Sequence, residues 1–590
     1  MFELDEAAAP KLSRRSVLGT IATLPAVIAA ARPRPFKASS IERVRPGSAA
    51  WPSAAQWRSL SRAVGGRLIR GDRPATPIAR ELLSNPFFVG EQVGLTQSSG
   101  WFEGWRSAPS AYAVHAANAL DVAAAVRFAA RHGLRLVVKG GGHSYLGGSN
   151  AADSLLVWTR AMDSIELLDA FVPAGSKSAP VPAVSLGAGC MWGRVYRAVS
   201  VEGGRYVQGG GCTTVGVAGL VQGGGFGSFS KRFGTAAASL VEAEIVTADG
   251  QIRTVNASRD PELLWALKGG GGGTFGVVTR MTLETHDLPA TLGGMELTIE
   301  AKSDQAFERL LAEFLRFSRD ALLNANWGEQ VRATRGNRLV FSMAFQGLTS
   351  EEASAAWRPF LAKIAANCDL RTVAPFQVMA LPGRRYWDGD FLANIIPQAI
   401  HRDVRPGARA GDYWWAGDGE QVGAFWSAYS SAWLPSALLF DAGIERLARA
   451  WFEASRHWSV AFHFNKGLAG SSPETLARCA QTAMNPEVLG AFALAIISAA
   501  EGPAYTGWSE PDVSSAAAAS AAVNAADRAL RAVAPGAGSY MSECDYFLGD
   551  WKRSSWGEHW PRLERIKQRY DPRGLFVVHH GVGSDRSLVG

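Results

Sequence analysis

Three stretches of the chain give up side chains yet keep a few reactive ones. The first, Lys139 to Ser149, reads KGGGHSYLGGS, with His143 between glycines on both sides. The second, Gly209 to Gly227, reads GGGCTTVGVAGLVQGGGFG and carries Cys212. The third, Lys268 to Val278, reads KGGGGGTFGVV. Backbone amides stripped of side chains can approach phosphate oxygens closely. None of the three matches G-x-x-x-x-G-K-[ST], which excludes a P-loop, and none has the strand–GxGxxG–helix order with an acid some 20 residues on. Three such segments, each beside an apolar strand, suit a large, extended, phosphate-bearing ligand better than a mononucleotide. Taken singly each has a plainer reading: a flexible surface loop, a loop histidine bonded to backbone, a cysteine acting as a small buried hydrophobe.

Something must hold these segments in place. DVAAAVRFAARHG, from Asp121, has an N-cap residue, apolar spacing of three to four and a terminal Gly133, so a helix is expected. LRLVV follows as a short buried strand that runs into the first glycine segment. LVEAEIVTADGQIRTV reads as a hairpin turning at Asp249-Gly250. PELLWAL is a short helix before the third glycine segment, and FGVVTRMTLET a strand after it. Beyond about residue 290 the glycine runs stop. Amphipathic helices (DQAFERLLAEFLRFSRDALL, SEEASAAWRPFLAKIAANC) then mix with alternating strands (RLVFSMAFQG, WSVAFHFNKG), the pattern of an antiparallel sheet covered by helices. Alternation puts His463 and Asn465 on one strand face. There they either bind substrate or form a satisfied polar pair. Trp414, in GDYWWAGDG, either stacks on a substrate ring or belongs to an aromatic core.

The ordered set GGHSY, GCTTVGVAGLVQGGGFG and LLWALKGGGGGTFGVVT, with the tail WGEHWPRLERIKQRYDPRGLF, resembles the berberine-bridge-enzyme-like branch of the vanillyl-alcohol-oxidase family of flavoproteins. The resemblance spans about residues 105–285 and 538–585. It implies an α+β fold. A PCMH-type FAD-binding domain of two α/β subdomains would take residues 40–288, with its core at 105–288. A substrate-binding domain, an antiparallel sheet under helices, would take 289–537, and residues 538–590 would return to the FAD lobe. It further implies covalent FAD, with His143 bonded to the 8α-methyl and Cys212 to flavin C6. The remaining positions matched to cofactor binding are Gly140, Gly141, Gly142, Ser144, Gly147, Gly187, Gly189, Thr213, Val215, Gly216, Gly219, Gly223, Gly224, Gly225, Gly227, Gly276 and Val277. A neutral imidazole and a thiolate are both nucleophiles, which suits bonds to an electron-poor ring.

The implied reaction is hydride transfer from an alcohol, sugar or phenolic-type substrate to the flavin, with a protein base removing an O–H proton. SYMSECDYF resembles the family's Y-x-N-Y-x-D or Y-x-N-E-x-D stretch, which makes Tyr540 the candidate base and Glu543 and Asp545 its alternatives. A free tyrosine, with a pKa of about 10, needs a nearby cation or the flavin to act near neutrality. Ser542 replaces the family Asn. Ala218-Gly219-Leu220 stands where many relatives have G-G-H, so an imidazole near the flavin carbonyl is missing. Val215 occupies the oxygen-gate position, and its small size implies an oxidase that returns electrons to dioxygen. The rivals are a dehydrogenase with another acceptor and a flavin-loaded binding protein without turnover.

Among 590 residues, 47% are hydrophobic and 19% charged, a globular balance large enough for more than one core. The net charge of +7 is scattered, with no basic block, so no nucleic-acid partner is expected. The five cysteines include no CxxC pair, so no metal site is expected either. Arg14 and Arg15 precede an apolar run ending in Ala29-Ala30-Ala31. This charged–apolar–small order resembles a twin-arginine export signal over residues 1–31, giving a periplasmic or secreted protein with no membrane segment once processed.

Overall fold

The computed structural model describes residues 43–71, 78 and 80–585, so residues 1–31, expected to direct export, lie outside the described residues. Among these residues no helix is long and apolar enough to cross a membrane. Three larger sheets carry the architecture of the described residues, beside two two-stranded ones. The first orders its strands Leu68–Arg70, Tyr112–His115, Ser154–Trp158, Arg135–Lys139. The last three run parallel, and Leu68–Arg70 closes one edge antiparallel.

The helix Ala119–His132 connects two of those parallel strands and seats Val122, Val126 and Ala129 on Leu136, Leu155 and Val157. Each such fully buried aliphatic side chain contributes about 1.5–3 kcal/mol. The cap is Asn118 rather than Asp121: the Asn118 side chain accepts from the amides of Leu120 and Asp121. Asp121 instead takes the Arg67 guanidinium at 2.9 and 2.7 Å. At the other end Gly133 closes the helix with φ +61°. The strand Arg135–Lys139 then delivers the chain into the first glycine segment.

The second sheet is antiparallel, in the order Ile252–Asn256, Leu240–Val246, Val277–Glu284, Val181–Gly187, Ile165–Phe171. Its first two strands form the hairpin expected at Asp249-Gly250. The third glycine segment feeds its central strand.

The third sheet has nine strands, from Leu370–Pro382 at one edge to Ser98–Trp101 and Trp105–Arg106 at the other. Helices Asp304–Phe317, Ser350–Ala365, Gly443–His457 and Val513–Arg531 bury one face. Alternation divides the strand Ala424–Pro435 into two faces, with a bulge between Trp426 and Ala428 that shifts it by one residue. Ala428, Ala432 and Leu434 join the helices, whereas Trp426, Tyr429 and Trp433 face the glycine-rich lobe and meet Phe226, Met484 and Tyr540.

Two segments cross between lobes. Residues 98–106 lie within the stretch expected for the FAD lobe, yet they pair with the large sheet. Ser98–Trp101 runs parallel to Ala424–Pro435, and Ser98 Oγ accepts from Trp426 Nε1 at 3.0 Å. This short buried strand covers what would be an open sheet edge. The tail runs the other way. Leu563 and Ile566 of the helix Trp560–Tyr570 pack with Leu263 and Phe275, and Phe576 bridges to Leu136. Lys567, buried, donates to the carbonyls of Thr274 and Phe576 at 2.6 and 2.5 Å and pairs with Asp571 at 2.7 Å. The tail thereby grips the third glycine segment.

Candidate functional site

The three glycine segments meet one another. A Cβ on Gly141 would stand 2.7 Å from Gly216 N, and one on Gly216 would stand 2.8 Å from Gly141 N. Here the first two segments cross backbone on backbone, at a distance only glycine permits. The second and third join where Gly271 N donates to Gln222 O at 2.9 Å and Gly272 faces Gly219. Val578 of the tail lies against both Gly148 and Gly273. Gly211 and Gly219, by contrast, are exposed, and added Cβ atoms there would meet nothing.

This crossing sets His143 beside the loop that carries Cys212, and the two define the candidate recess. His143 Nε2 shares a hydrogen with Thr214 Oγ1 at 3.1 Å. Burial lowers the His143 pKa to about 4, with the Thr214 contact opposing, so the imidazole is neutral at ordinary pH. Thr213 Oγ1 donates to Tyr413 O at 2.7 Å, tying the cysteine's segment to the strand Tyr413–Trp415. Burial pushes the Cys212 thiol well above its usual range, and the neighbouring Asp418 carboxylate raises it further. The sequence reading took a thiolate here; the surroundings hold a thiol.

The facing wall comes from the large sheet and its loops. Tyr145, two residues past His143, packs on Trp426 and Tyr429 at ring separations of 4.5 and 5.4 Å. Lys466 Nζ reaches both Glu543 oxygens, at 2.7 and 2.5 Å. Glu329 accepts from Ser228 Oγ and from Asn465 Nδ2. Its φ is +65° within the strand Trp327–Ala333. Regular alternation would send its carboxylate with Trp327 and Val331 into the helix-covered core; the turned backbone gives it to Ser228 instead. Burial raises the Glu329 pKa, and the Lys466 charge opposes that rise.

Comparison with known proteins decides the family. Residues 110–256 match the FAD binding domain and residues 539–583 match the berberine and berberine-like family. An FAD-linked oxidoreductase, easE, of Trichophyton verrucosum is 31% identical over 597 residues, covering 92% of this chain and 91% of its own. The chain belongs to the berberine-bridge-like FAD-linked oxidoreductases. The crystal structure of the VAO-type flavoprotein MtVAO615 from Myceliophthora thermophila C1 superposes with TM-score 0.73 at 25% identity, covering 92% of this chain and 97% of that one. A glucooligosaccharide oxidase from Acremonium strictum, described with a 6-S-cysteinyl, 8α-N1-histidyl FAD, shares the fold at TM-score 0.63 and 17% identity, covering 89% and 99%.

In this FAD-linked oxidoreductase the matched cofactor positions divide by what surrounds them. Gly140, Gly141, Gly142, Ser144, Gly147, Thr213, Val215, Gly216 and Gly219 belong to the crossing loops, where Ser144 Oγ accepts from Gly148 N at 3.0 Å. Gly187, Gly189, Gly227 and Gly276 are glycine for chain-on-chain packing, since added Cβ atoms would fall 2.2, 2.1, 2.0 and 2.5 Å from the carbonyls of Met162, Thr159, Gly209 and Val246. Val277 is wholly buried in a core. Gly223, Gly224 and Gly225 press against the polar wall: Gly223 faces Ser542, Gly224 faces Met484, and Gly225 N donates to Tyr540 Oη at 3.3 Å.

The recess fits FAD. Its open glycines leave backbone free for a phosphate-bearing chain, and its imidazole and thiol are groups that can bond to an electron-poor ring, the thiol once it has lost its proton.

Tyr540 is only 6% exposed, and burial and the Glu543 charge both raise its pKa, so the phenol is held protonated and is a poor base in these surroundings. Glu543 is clamped by Lys466, and burial raises the pKa of the other alternative, Asp545. The strand Val460–His463 stops at His463, and Asn465 sits in a following 3-10 turn, so the two do not share a strand face. Asn465, 4% exposed, bonds Glu329, and burial keeps His463 neutral. Trp414, 9% exposed, packs with Phe87 and Met191, in keeping with the aromatic-core alternative. Sequence reasoning missed Asp418, Glu329, Tyr145 and Tyr429. The one available signal was the acid in WWAGDG, which no spacing rule singles out.

Proposed function

We propose that this oxidoreductase is an oxidase that carries FAD on two covalent links, at His143 and Cys212, oxidises an alcohol, sugar or phenolic-type substrate, and returns the electrons to dioxygen as hydrogen peroxide. The observation that carries the reading is the backbone crossing at Gly141 and Gly216, which sets the imidazole of one segment beside the loop that carries the thiol of another. The two linkages described for the Acremonium strictum oxidase support it. When bound, FAD supplies the hydride acceptor.

The chain's own residues do the rest. The neutral His143 keeps a lone pair for bonding. The rings of Tyr145, Trp426 and Tyr429 offer an apolar surface for a sugar or phenol face. Lys466, Glu543 and Glu329 offer charged donors and acceptors for its hydroxyls. Val215, small and half-buried, supports access by dioxygen.

Acid precipitation tests the links. The pellet should stay yellow in the wild type, and all colour should move to the supernatant in the His143→Ala, Cys212→Ala double variant. A peroxide-coupled screen of alcohols and sugars tests turnover. Rapid return of flavin absorbance when anaerobically reduced enzyme meets air is expected; a slow return would exclude the oxidase.

A further inference from the structure

We infer that Asp418 is the general base that takes the proton of the Cys212 thiol as the sulfur bonds to flavin C6. The inference rests on the two-link reading above and deepens it.

The Cys212 thiol and the Asp418 carboxylate are neighbours that act on one another's protonation. Their relative placement is fixed from both sides. The Thr213 hydroxyl is bonded to Tyr413 O at 2.7 Å, and the strand Tyr413–Trp415 runs directly into the turn Ala416–Glu420 that carries Asp418. Asp418 Oδ2 is buried without a hydrogen-bond partner among the described residues, so the carboxylate is not spent on a salt bridge.

The other titratable groups acting on Cys212 are Lys466, Glu543, Tyr145 and Tyr196, and Tyr413 faces Asp418. None of them is better placed for the task. Lys466 and Glu543 hold each other, and Tyr145, Tyr196 and Tyr413 are kept protonated by burial. His143 turns its Nε2 to Thr214.

The chemistry requires such a base. Only the thiolate is an effective nucleophile, and burial keeps this thiol protonated. A carboxylate within hydrogen-bond reach can remove the proton while the new bond forms. Burial raises the Asp418 pKa to about 6, so it is ionised at neutral pH and more basic than a free carboxylate.

The step balances as follows. Asp418 takes the thiol proton, sulfur supplies the electron pair of the new C–S bond at C6, and the hydrogen already on C6 leaves as a proton. The two electrons left on the ring, with two protons, reduce one dioxygen to hydrogen peroxide and restore the oxidised cofactor.

Peptide mapping by mass reads the outcome. Wild-type protein should give one flavin joined to both the His143 and Cys212 peptides. Asp418→Asn should keep the His143 link and carry at least tenfold less Cys212 adduct, and Asp418→Glu should regain a large part of it. Equal Cys212 adduct in Asp418→Asn and wild type would overturn the inference and leave the two-link reading standing. A wild type with an unmodified Cys212 peptide would overturn both. If Asp418→Asn loses both links, Asp418→Glu decides: a regained Cys212 adduct supports the inference, and a His143 link without that adduct overturns it.

Discussion

On the glycine-lobe wall of the recess, backbone touches backbone. Gly141 and Gly216 approach so closely that neither tolerates a Cβ, and the reactive His143 and Cys212 are neutral groups presented by that rigid crossing. On the sheet wall, side chains do the positioning. Lys466 holds Glu543, and Ser228 and Asn465 hold Glu329, each drawn from a separate segment. The difference separates two tasks. A cofactor common to many relatives is gripped by main chain, which every residue type shares. On the function proposed above, a substrate particular to one enzyme would be met by side chains, which can change without disturbing that grip.

The largest effect should come from the sheet wall. Lys466→Met leaves Glu543 unpaired in a half-buried site. It should lower kcat/KM about 100-fold, or about 2.7 kcal/mol of transition-state stabilisation, with flavin content unchanged. Loss of flavin from this variant would break the division of labour between the walls, and steady-state kinetics beside an absorbance ratio would show it.

Gly141→Ala attacks the other wall. The new methyl meets the amide of Gly216, and overpacking of this kind costs about 1–3 kcal/mol. Thermal melts of the variant should be lower and its flavin incomplete, while kcat per bound flavin stays near wild type.

The smallest effect is in pH. The His143 pKa in the fold, about 4, lies below the free value of about 6.5. The neutral form therefore contributes stability that is present above pH 6.5 and lost as pH falls towards 4. Melts of flavin-free protein from pH 7 to 4 should fall more steeply for wild type than for His143→Gln; parallel curves would show that the imidazole is not desolvated.

What could be read from sequence follows the same division. Gly141, His143, Cys212 and Gly216 stand in contiguous runs, because a backbone crossing needs neighbouring glycines and so leaves a local signature. Lys466 and Glu543 lie 77 residues apart, and nothing local pairs them. Glu329 was hidden for a sharper reason: its left-handed backbone breaks the alternation on which strand reading depends. Asn465 was misjudged because the strand ends two residues earlier than its apolar pattern suggests. Ser98–Trp101, SSGW, has too weak a strand signal to announce that it closes the edge of a sheet built mostly from residues beyond 290. At the helix start the cap is Asn118, three residues before the expected Asp121, which is held instead by Arg67, a partner far off in sequence.

The grip of Lys567 on Thr274 and Phe576 has a bearing on biosynthesis. A nascent chain whose helix Trp560–Tyr570 is still inside the ribosome has no Lys567 to fasten the third glycine run and no Val578 to lie across Gly148 and Gly273. The nucleotide cradle is therefore completed only once the helix Trp560–Tyr570 has docked, so that binding of the nucleotide reports on a finished fold.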